Sequence, residues 1–428
     1  MAEFRWRWKG SAAPEVRVAP FLYGKSWAYS VEIDDGPAST LAVSLPLLAS
    51  YYFSDAPPGV TGGKLLPFVG GAAVFPLRVG TGSPAYLETA QLQQLERAGW
   101  AVLNHGYAHR GNSWEPDGAL TPAQLREELF WSQVVLAASR ESHRSPTHFV
   151  YPNGYMAYQQ HLSAFGLVSG SRVAGKKPGL STLSDLDRNY LDESVWSKAN
   201  DPLVGLPRVP QPGQWVIDFT HGMEAAPSSP NHKRWRERLG FIERLGDGLW
   251  CAPTPAVVAY LQAARVAKLK IERDGLTVTL PESLPGSPLT LQLKGLPADA
   301  PTPPGATLYR QGETAWLTTP LLGKPDAAPP AALECVYSGP VRELRFPRPV
   351  RVAGVRLLQR GETRPEFRLS LALTTSGASQ TLVDGPLKPA WGVWLLYALL
   401  PNASATLATG LVPTTDPALT TMEVWVQP

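Results

Sequence analysis

AYSVEIDDGP, residues 28–37, runs from a short apolar stretch of strand length into two adjacent carboxylates, Asp34 and Asp35, and then into a Gly-Pro turn. Neighbouring charges repel, and at the end of a buried strand both lose hydration. An ionised pair there calls for a compensating partner, a metal ion or a reacting proton. Taken alone, the stretch fits ordinary turn chemistry better, with both carboxylates facing water. The other strand-like runs decide between these readings by what they carry at the same end.

Three more short apolar or β-branched runs end in polar groups. WAVLN (100–104) leads into His105-Gly-Tyr-Ala-His109, HFVY (148–151) into Pro152-Asn153-Gly154, and WVIDF (215–219) into Thr220-His221-Gly222. Helix signals lie between and beyond them. TAQLQQLERAG (89–99) places Leu at 92 and 95 and closes on Gly99. TPAQLREELFWSQVVLAAS (121–139) offers Thr121 as a cap, Pro122 at the first helical position and Gln124 to complete a capping box. TPAVVAYLQAARVAK (254–268) repeats the Thr-Pro start.

This alternation predicts an α/β domain, a parallel sheet covered by helices and either open or closed into a barrel. Parallel strands present their carboxyl ends on one face, where such folds hold their ligands. Asp34, Asp35, His105, His109, His221 and the Pro-Asn-Gly loop are therefore expected to converge. Two imidazoles four residues apart, with one carboxylate, form a metal-ligand set that leaves positions open for water and substrate, as catalytic zinc does. Structural zinc usually closes its site with thiolates, which have no counterpart here. Successive side chains on an extended segment diverge, so one Asp can bind the metal while its neighbour acts on the attacking water.

The same residues resemble the motifs of the NodB-homology polysaccharide deacetylases, carbohydrate esterase family four. IDDGP (33–37) is similar to T-F-D-D-G-P, HGYAH (105–109) to H-[ST]-x-x-H apart from Gly106, YPNGY (151–155) to R-x-P-x-G, and FTH (219–221) to L-x-H. They occur in the family's order within residues 28–222, and nothing after 268 belongs to the match. The resemblance implies a distorted (β/α) barrel and metal-dependent hydrolysis of acetyl groups on sugars. It implies Asp34 as general base, Asp35, His105 and His109 as ligands of a divalent metal, usually zinc, and His221 as general acid. The backbone N–H of Asn153 would help to stabilise the oxyanion.

Three departures bear on these roles. Val150 stands where the family has the Arg that pairs with the base, so Arg110, Arg144 or Arg172 would have to reach in from elsewhere. Glu32 replaces the usual Ser or Thr and is expected on the face opposite Ile33. The fourth motif, an Asp-Trp segment that tunes the acid His, has its candidate in LDESVW (191–196), with Asp192 and Trp196. Trp114, Trp196 and Tyr155 are candidate substrate-binding aromatics, Trp114 by stacking on a sugar ring. His143, His148, His161 and His232 lack strand-end placement and are expected to be structural or surface histidines.

At 428 residues, 44% of them apolar, the chain exceeds the usual single core. Residues 1–267 are expected to form the deacetylase-like domain and 268–428 an all-β, sandwich-like accessory region. That region opens with a hairpin around Asp274-Gly275 and is broken by a Pro-rich stretch at 323–332, where it could divide into two units. It could hold a carbohydrate polymer near the barrel. Net charge is +3, from 39 basic and 36 acidic residues without long runs, which argues against nucleic acid or an anionic membrane as partner. No run reaches the roughly eighteen apolar residues of a membrane span. The opening MAEFRWRWKGSAAPEV lacks the apolar core of a secretory signal, so the expected location is cytoplasmic, or secreted or in the cell envelope if a signal has been removed. Cys251 and Cys335, far apart, are expected as buried thiols.

The function expected is thus a metal-dependent carbohydrate deacetylase, N- or O-linked. Two alternatives come from other classes: a glycan-binding protein whose barrel lost activity with the Arg at Val150, and a NodB-like amidase for a small non-sugar amide.

Overall fold

The run that contains Asp34 and Asp35 at its end folds as strand β1 (Trp27–Ile33), buried over its whole length. It is hydrogen-bonded on both edges, which is why its sequence is continuously non-polar apart from Ser30 and Glu32. The computed structural model describes residues 2–10, 12–79, 83–112, 118–324, 328–329, 333–360, 367–375, 378–387, 394–399, 406–415 and 419–427. Eight further parallel strands build the same sheet: β2 (Gly71–Val74), β3 (Ala101–Asn104), β4 (His148–Val150), β5 (Ser169–Arg172), β6 (Leu186–Asp187), β7 (Asn189–Tyr190), β8 (Trp215–Thr220) and β9 (Leu249–Cys251).

The order from β1 runs through β2, β3, β4 and β5 to β6, and from β7 through β8 back to β1. Only Arg188 separates β6 from β7. One stretch, 186–190, therefore pairs with β5 through Leu186 and Asp187 and with β8 through Asn189 and Tyr190, and so brings the sheet round into a nearly closed barrel. Strand β9 pairs with the amino half of β1, Leu249 opposite Trp27, while β2 pairs with its carboxyl half, Glu32 opposite Gly71. The expected barrel followed by antiparallel β structure is what the chain adopts.

Helices α1 (Thr89–Arg97), α2 (Pro122–Ser139), α3 (Glu193–Ala199), α4 (Pro230–Arg244) and α5 (Thr254–Val266) accompany the strands. Helix α2 starts as its sequence dictates. The Thr121 hydroxyl accepts from the Gln124 N–H at 3.3 Å, and the Gln124 side chain accepts from the Thr121 N–H at 2.9 Å.

The first residues of the chain lie outside the barrel sheet. Ala2–Arg7 pairs antiparallel with Gly275–Leu280, and Glu15–Val18 with Thr290–Lys294, so residues before and after the barrel share two small sheets. Trp6, Leu276 and Val278 join Trp27 and Tyr260 in one buried cluster. Farther on, seven strands between Glu334 and Gln427 form an antiparallel sheet. Its Trp425 packs with Phe75, Leu77, Tyr107 and Trp131 of the barrel. Most of the Pro-rich stretch at 323–332 falls outside the described residues. Cys251 is buried as expected, whereas Cys335 is exposed, because it sits at a register shift on an edge strand.

Candidate metal centre and its flanking acid and base

Strand β1 delivers Glu32 and Asp34 to the barrel interior. Both are buried, with Asp34 only 3% exposed, and buried carboxylates survive ionised only when paired. The pairing comes from Arg188, the residue at the seam of the barrel. Its Nη1 donates to Asp34 Oδ1 at 2.8 Å and its Nη2 to Asp34 Oδ2 at 2.9 Å, a bidentate clamp, and Nη1 donates also to Glu32 Oε2 at 2.9 Å. The guanidinium lies over the Phe219 ring, 3.9 Å from its centroid. The partner of Asp34 is thus Arg188 and none of the three arginines expected for that place. Arg172 pairs instead with Asp185 at 2.8 Å, and Arg110 lies 3.7 Å from Glu128.

Below Asp34 the barrel interior is polar. Glu32 accepts from the hydroxyls of Thr254 at 2.5 Å and Ser171 at 2.8 Å, and His148 Nε2 lies 3.2 Å from Glu32 Oε1. Burial opposes the charge of Glu32, but His148, Arg188 and Thr254 hold its carboxyl down at about 2. His148 is a structural histidine, as expected, completed by a contact of 2.7 Å between Nδ1 and the Ser169 hydroxyl.

Asp35 turns the other way. Its φ of 69°, followed by 60° at Gly36, puts two consecutive residues in the left-handed region and separates the neighbouring carboxylates. Asp35 Oδ1 lies 3.4 Å from His105 Nε2 and 3.6 Å from His109 Nε2, and one ligand atom from each of the three residues lies within 4.8 Å of the other two. Asp35 Oδ1 is buried and makes no hydrogen bond. His105 Nδ1 donates to the Val150 carbonyl at 2.8 Å, which fixes the proton there and leaves Nε2 free as a ligand. Burial and the neighbouring His105 push His109 down to about 4 against the pull of Asp35, so its ring is neutral at neutral pH, as a ligand must be. Two imidazole Nε2 atoms and a carboxylate with an unused oxygen fit a divalent cation.

The histidine loop is held from beneath by groups the sequence did not flag. Glu128 of α2 accepts the N–H groups of Tyr107 and Ala108 at 3.0 and 2.9 Å, and Asn104 accepts that of Gly106 at 2.8 Å. Burial raises Glu128 to about 7, against these hydrogen bonds and Arg110. Gly106 has φ of 74°, a backbone conformation that would strain any side chain, so glycine suits this turn of the loop.

Opposite Asp34, His221 follows strand β8. Its Nδ1 lies 2.7 Å from Asp192 Oδ2, and Asp192 Oδ1 accepts the His221 N–H at 2.9 Å and the Thr220 hydroxyl at 2.6 Å. Burial works against the charged ring, yet the hydrogen bond to Asp192 and the charges of Asp34, Asp192 and Asp35 raise His221 to about 9. Asp192 itself is brought down to about 2, its burial outweighed by hydrogen bonds from His221 and Thr220. The segment LDESVW therefore supplies the partner of His221 from the residue just before α3.

The expected aromatic lining is only partly met. Trp196 is fully buried against Trp235, ring centroids 5.1 Å apart, and offers no surface to a substrate, because it packs α3 onto α4. Tyr155 is half-buried, lies over Gly111 and accepts the Leu120 N–H at 3.2 Å. Trp114 lies outside the described residues. Asn153 has φ of 51° and ψ of 23°, and its side chain donates to the Gly111 carbonyl at 3.1 Å, tying the Pro-Asn-Gly loop to the segment after the histidine pair.

No protein-family model matches the chain, and no curated protein matches it. Among solved structures it is similar to the Streptococcus pyogenes deacetylase PplD in complex with acetate, at 18% identity and a TM-score of 0.29. That match covers 36% of this chain and 61% of that one, less than two thirds of its length. It is also similar to the Puue allantoinase, at 10% identity and a TM-score of 0.32, over 54% of this chain and 88% of that one. At these values the likenesses carry no argument about activity. The case for a function rests on the site.

Proposed function

We propose that this protein is a metal-dependent hydrolase that removes acetyl groups, N- or O-linked, from a polysaccharide or oligosaccharide. The observation that supports it most is the placing of three candidate ligands, Asp35, His105 and His109, between a carboxylate, Asp34, held at both oxygens by Arg188 and an imidazole, His221, whose protonated form Asp192 favours. Asp35, His105 and His109 would hold a divalent cation, zinc by the nature of the donors, which when bound would supply Lewis acidity toward the acetyl carbonyl and toward water.

The chain's own groups do the rest. Asp34 accepts a proton from the attacking water while Arg188 fixes its orientation. The water oxygen bonds to the acetyl carbon, the C–N or C–O bond to the sugar breaks, and His221 donates its proton to the departing nitrogen or oxygen. The backbone N–H of Asn153 is assigned to the developing oxyanion. Residues 1–267 are proposed as the catalytic unit and 268–428 as accessory.

The reading of an impaired glycan binder rested on the missing Arg at Val150, and the clamp from Arg188 removes that motive. Acetate release from acetylated chito- or xylo-oligosaccharides, with and without a chelator, tests the proposal. Release that chelation abolishes and metal restores is expected. No release from protein with metal bound would overturn it.

A further inference from the structure

The final antiparallel sheet contains a cavity of about 690 Å³ lined by four arginines, Arg342, Arg345, Arg348 and Arg351, with Tyr337 and Phe346 among the other walls. That volume lies within the range of about 300–1,000 Å³ usual for small-ligand sites. We propose that this cavity binds an anionic polysaccharide segment, one bearing carboxylate or phosphate groups. The choice of a polysaccharide rests on the reading of the barrel as a carbohydrate deacetylase; the choice of an anionic one does not.

The charge is concentrated and largely unanswered. One wall residue, Glu334, is acidic, and Arg345 meets Glu343 only at 3.4 Å with both side chains exposed. Among the described residues, Arg342, Arg348 and Arg351 have no carboxylate at ion-pair distance. Guanidinium groups gathered in one concavity repel each other, and their planar forks match carboxylate or phosphate oxygens two at a time.

The backbone presents them. In the long strand Leu344–Arg360, the pairing with Thr406–Thr415 jumps from Arg345 opposite Gly410 to Val350 opposite Ala408, so Phe346-Pro347-Arg348-Pro349 bulges out of the ladder. Two prolines without N–H groups prevent the bulge from re-pairing and restrict its backbone. Bulges of this kind re-aim side chains, here one aromatic ring and one arginine. Arg342 also lies over the Tyr337 ring at 5.1 Å from its centroid, leaving charge beside an aromatic face. A charged sugar chain alternates isolated anions with apolar ring faces, which this alternation of guanidinium and aromatic groups fits. A polynucleotide would need a basic track along its backbone, and the chain as a whole carries only +3.

Affinity electrophoresis of the full chain in gels containing alginate (carboxylated), hydroxyethylcellulose (neutral) or single-stranded DNA tests this. Retardation by alginate alone, weakened by added salt, is expected. Arg348→Gln, at an exposed position, should weaken it by about tenfold, the effect of one lost charged hydrogen-bonding group, and Arg351→Gln by a similar factor. Both should release acetate from short oligosaccharides at the unaltered rate, which also reports that they are folded. Equal retardation by the neutral polymer, stronger retention by DNA, or unaltered retention of both variants would overturn the proposal. Failure of acetate release with alginate binding intact would instead count against the barrel reading alone.

Discussion

The two sides of the candidate metal site are built from the same kind of pair, a carboxylate with a basic partner, but in opposite environments. Asp34 is buried and clamped by two donors from Arg188, a group that never loses its charge. His221 has 43% of its side chain exposed and pairs with Asp192, so its charge titrates. The difference teaches how one site could hold the proposed base and the proposed acid at the same pH. One carboxylate is held by burial beside a permanent cation, and the His221 ring is poised within reach of water.

The largest effect is expected where the comparison is broken at the base. Asp34→Asn keeps shape and hydrogen-bonding capacity but cannot take a proton, so kcat should fall by about 10²–10⁴-fold, the usual contribution of a general base. Bound metal, measured by elemental analysis, should stay at the wild-type level. Loss of metal in this variant would show that Asp34 is itself a ligand and would undo the division of roles between Asp34 and Asp35.

Arg188→Ala comes next. It leaves Glu32 and Asp34 buried without their cation, and removing one partner of a buried pair costs about 3–5 kcal/mol. A urea melt should show that loss. Arg188→Lys should restore part of the stability and less of the activity, because an ammonium cannot grip both oxygens of Asp34. Equal recovery of both would mean that Arg188 serves the fold only.

Asp192→Asn sharpens the comparison from the acid side. The pKa of His221 lies near 9, above its ordinary value, so the protonated ring persists through neutral pH and is lost as pH rises through about 9. Removing Asp192 takes away the hydrogen bond and one of the charges that raise it. The alkaline limb of kcat should therefore move to lower pH, while the acid limb stays. A pH profile unchanged by Asp192→Asn would exclude His221 as the group controlling that limb. The stability of the pair follows the same sign, present in full below the unfolded pKa of about 6.5 and lost toward 9.

Much of this site was legible because parallel strands write their ends plainly. AYSVEI, WAVLN, HFVY and WVIDF are apolar enough to read as buried strands, and each one's polar terminus then had to share a face. Asp192 was legible as a motif fragment. Arg188 was not, because its strand, Leu186 to Tyr190, is short and polar: Asp187, Arg188 and Asn189 line the closing seam, and no hydrophobic run marks them. The faint trace was alternation, Leu186, Arg188 and Tyr190 at period two. β2, Gly71–Val74, and β5, Ser169–Arg172, escaped for a related reason, since small residues let their neighbours pack closely but give no strong pattern. Glu128 carried only a helical position, and the N–H groups it satisfies belong to a loop whose path is set by Gly106.

The smallest effect expected concerns the joint between the barrel and the last sheet. Arg356 is buried, pairs with Glu423 at 2.9 Å, donates to the Pro76 carbonyl at 3.2 Å and lies near the ring of Tyr107, which sits inside the His105–His109 loop. If this sheet only held polymer, Arg356→Ala would leave short-oligosaccharide kinetics and metal affinity alone. Packing behind the metal loop predicts otherwise: metal affinity should weaken, by less than the roughly tenfold seen when a group directly orienting a ligand is lost, since Tyr107 and Glu128 stand between. Metal-buffer titration of Arg356→Ala against wild type reads this directly. Truncation at 267 could not, because it would also strip Ala2–Arg7 and Glu15–Val18 of their partner strands and expose their core. A metal affinity unmoved by Arg356→Ala would reduce the joint to a packing contact.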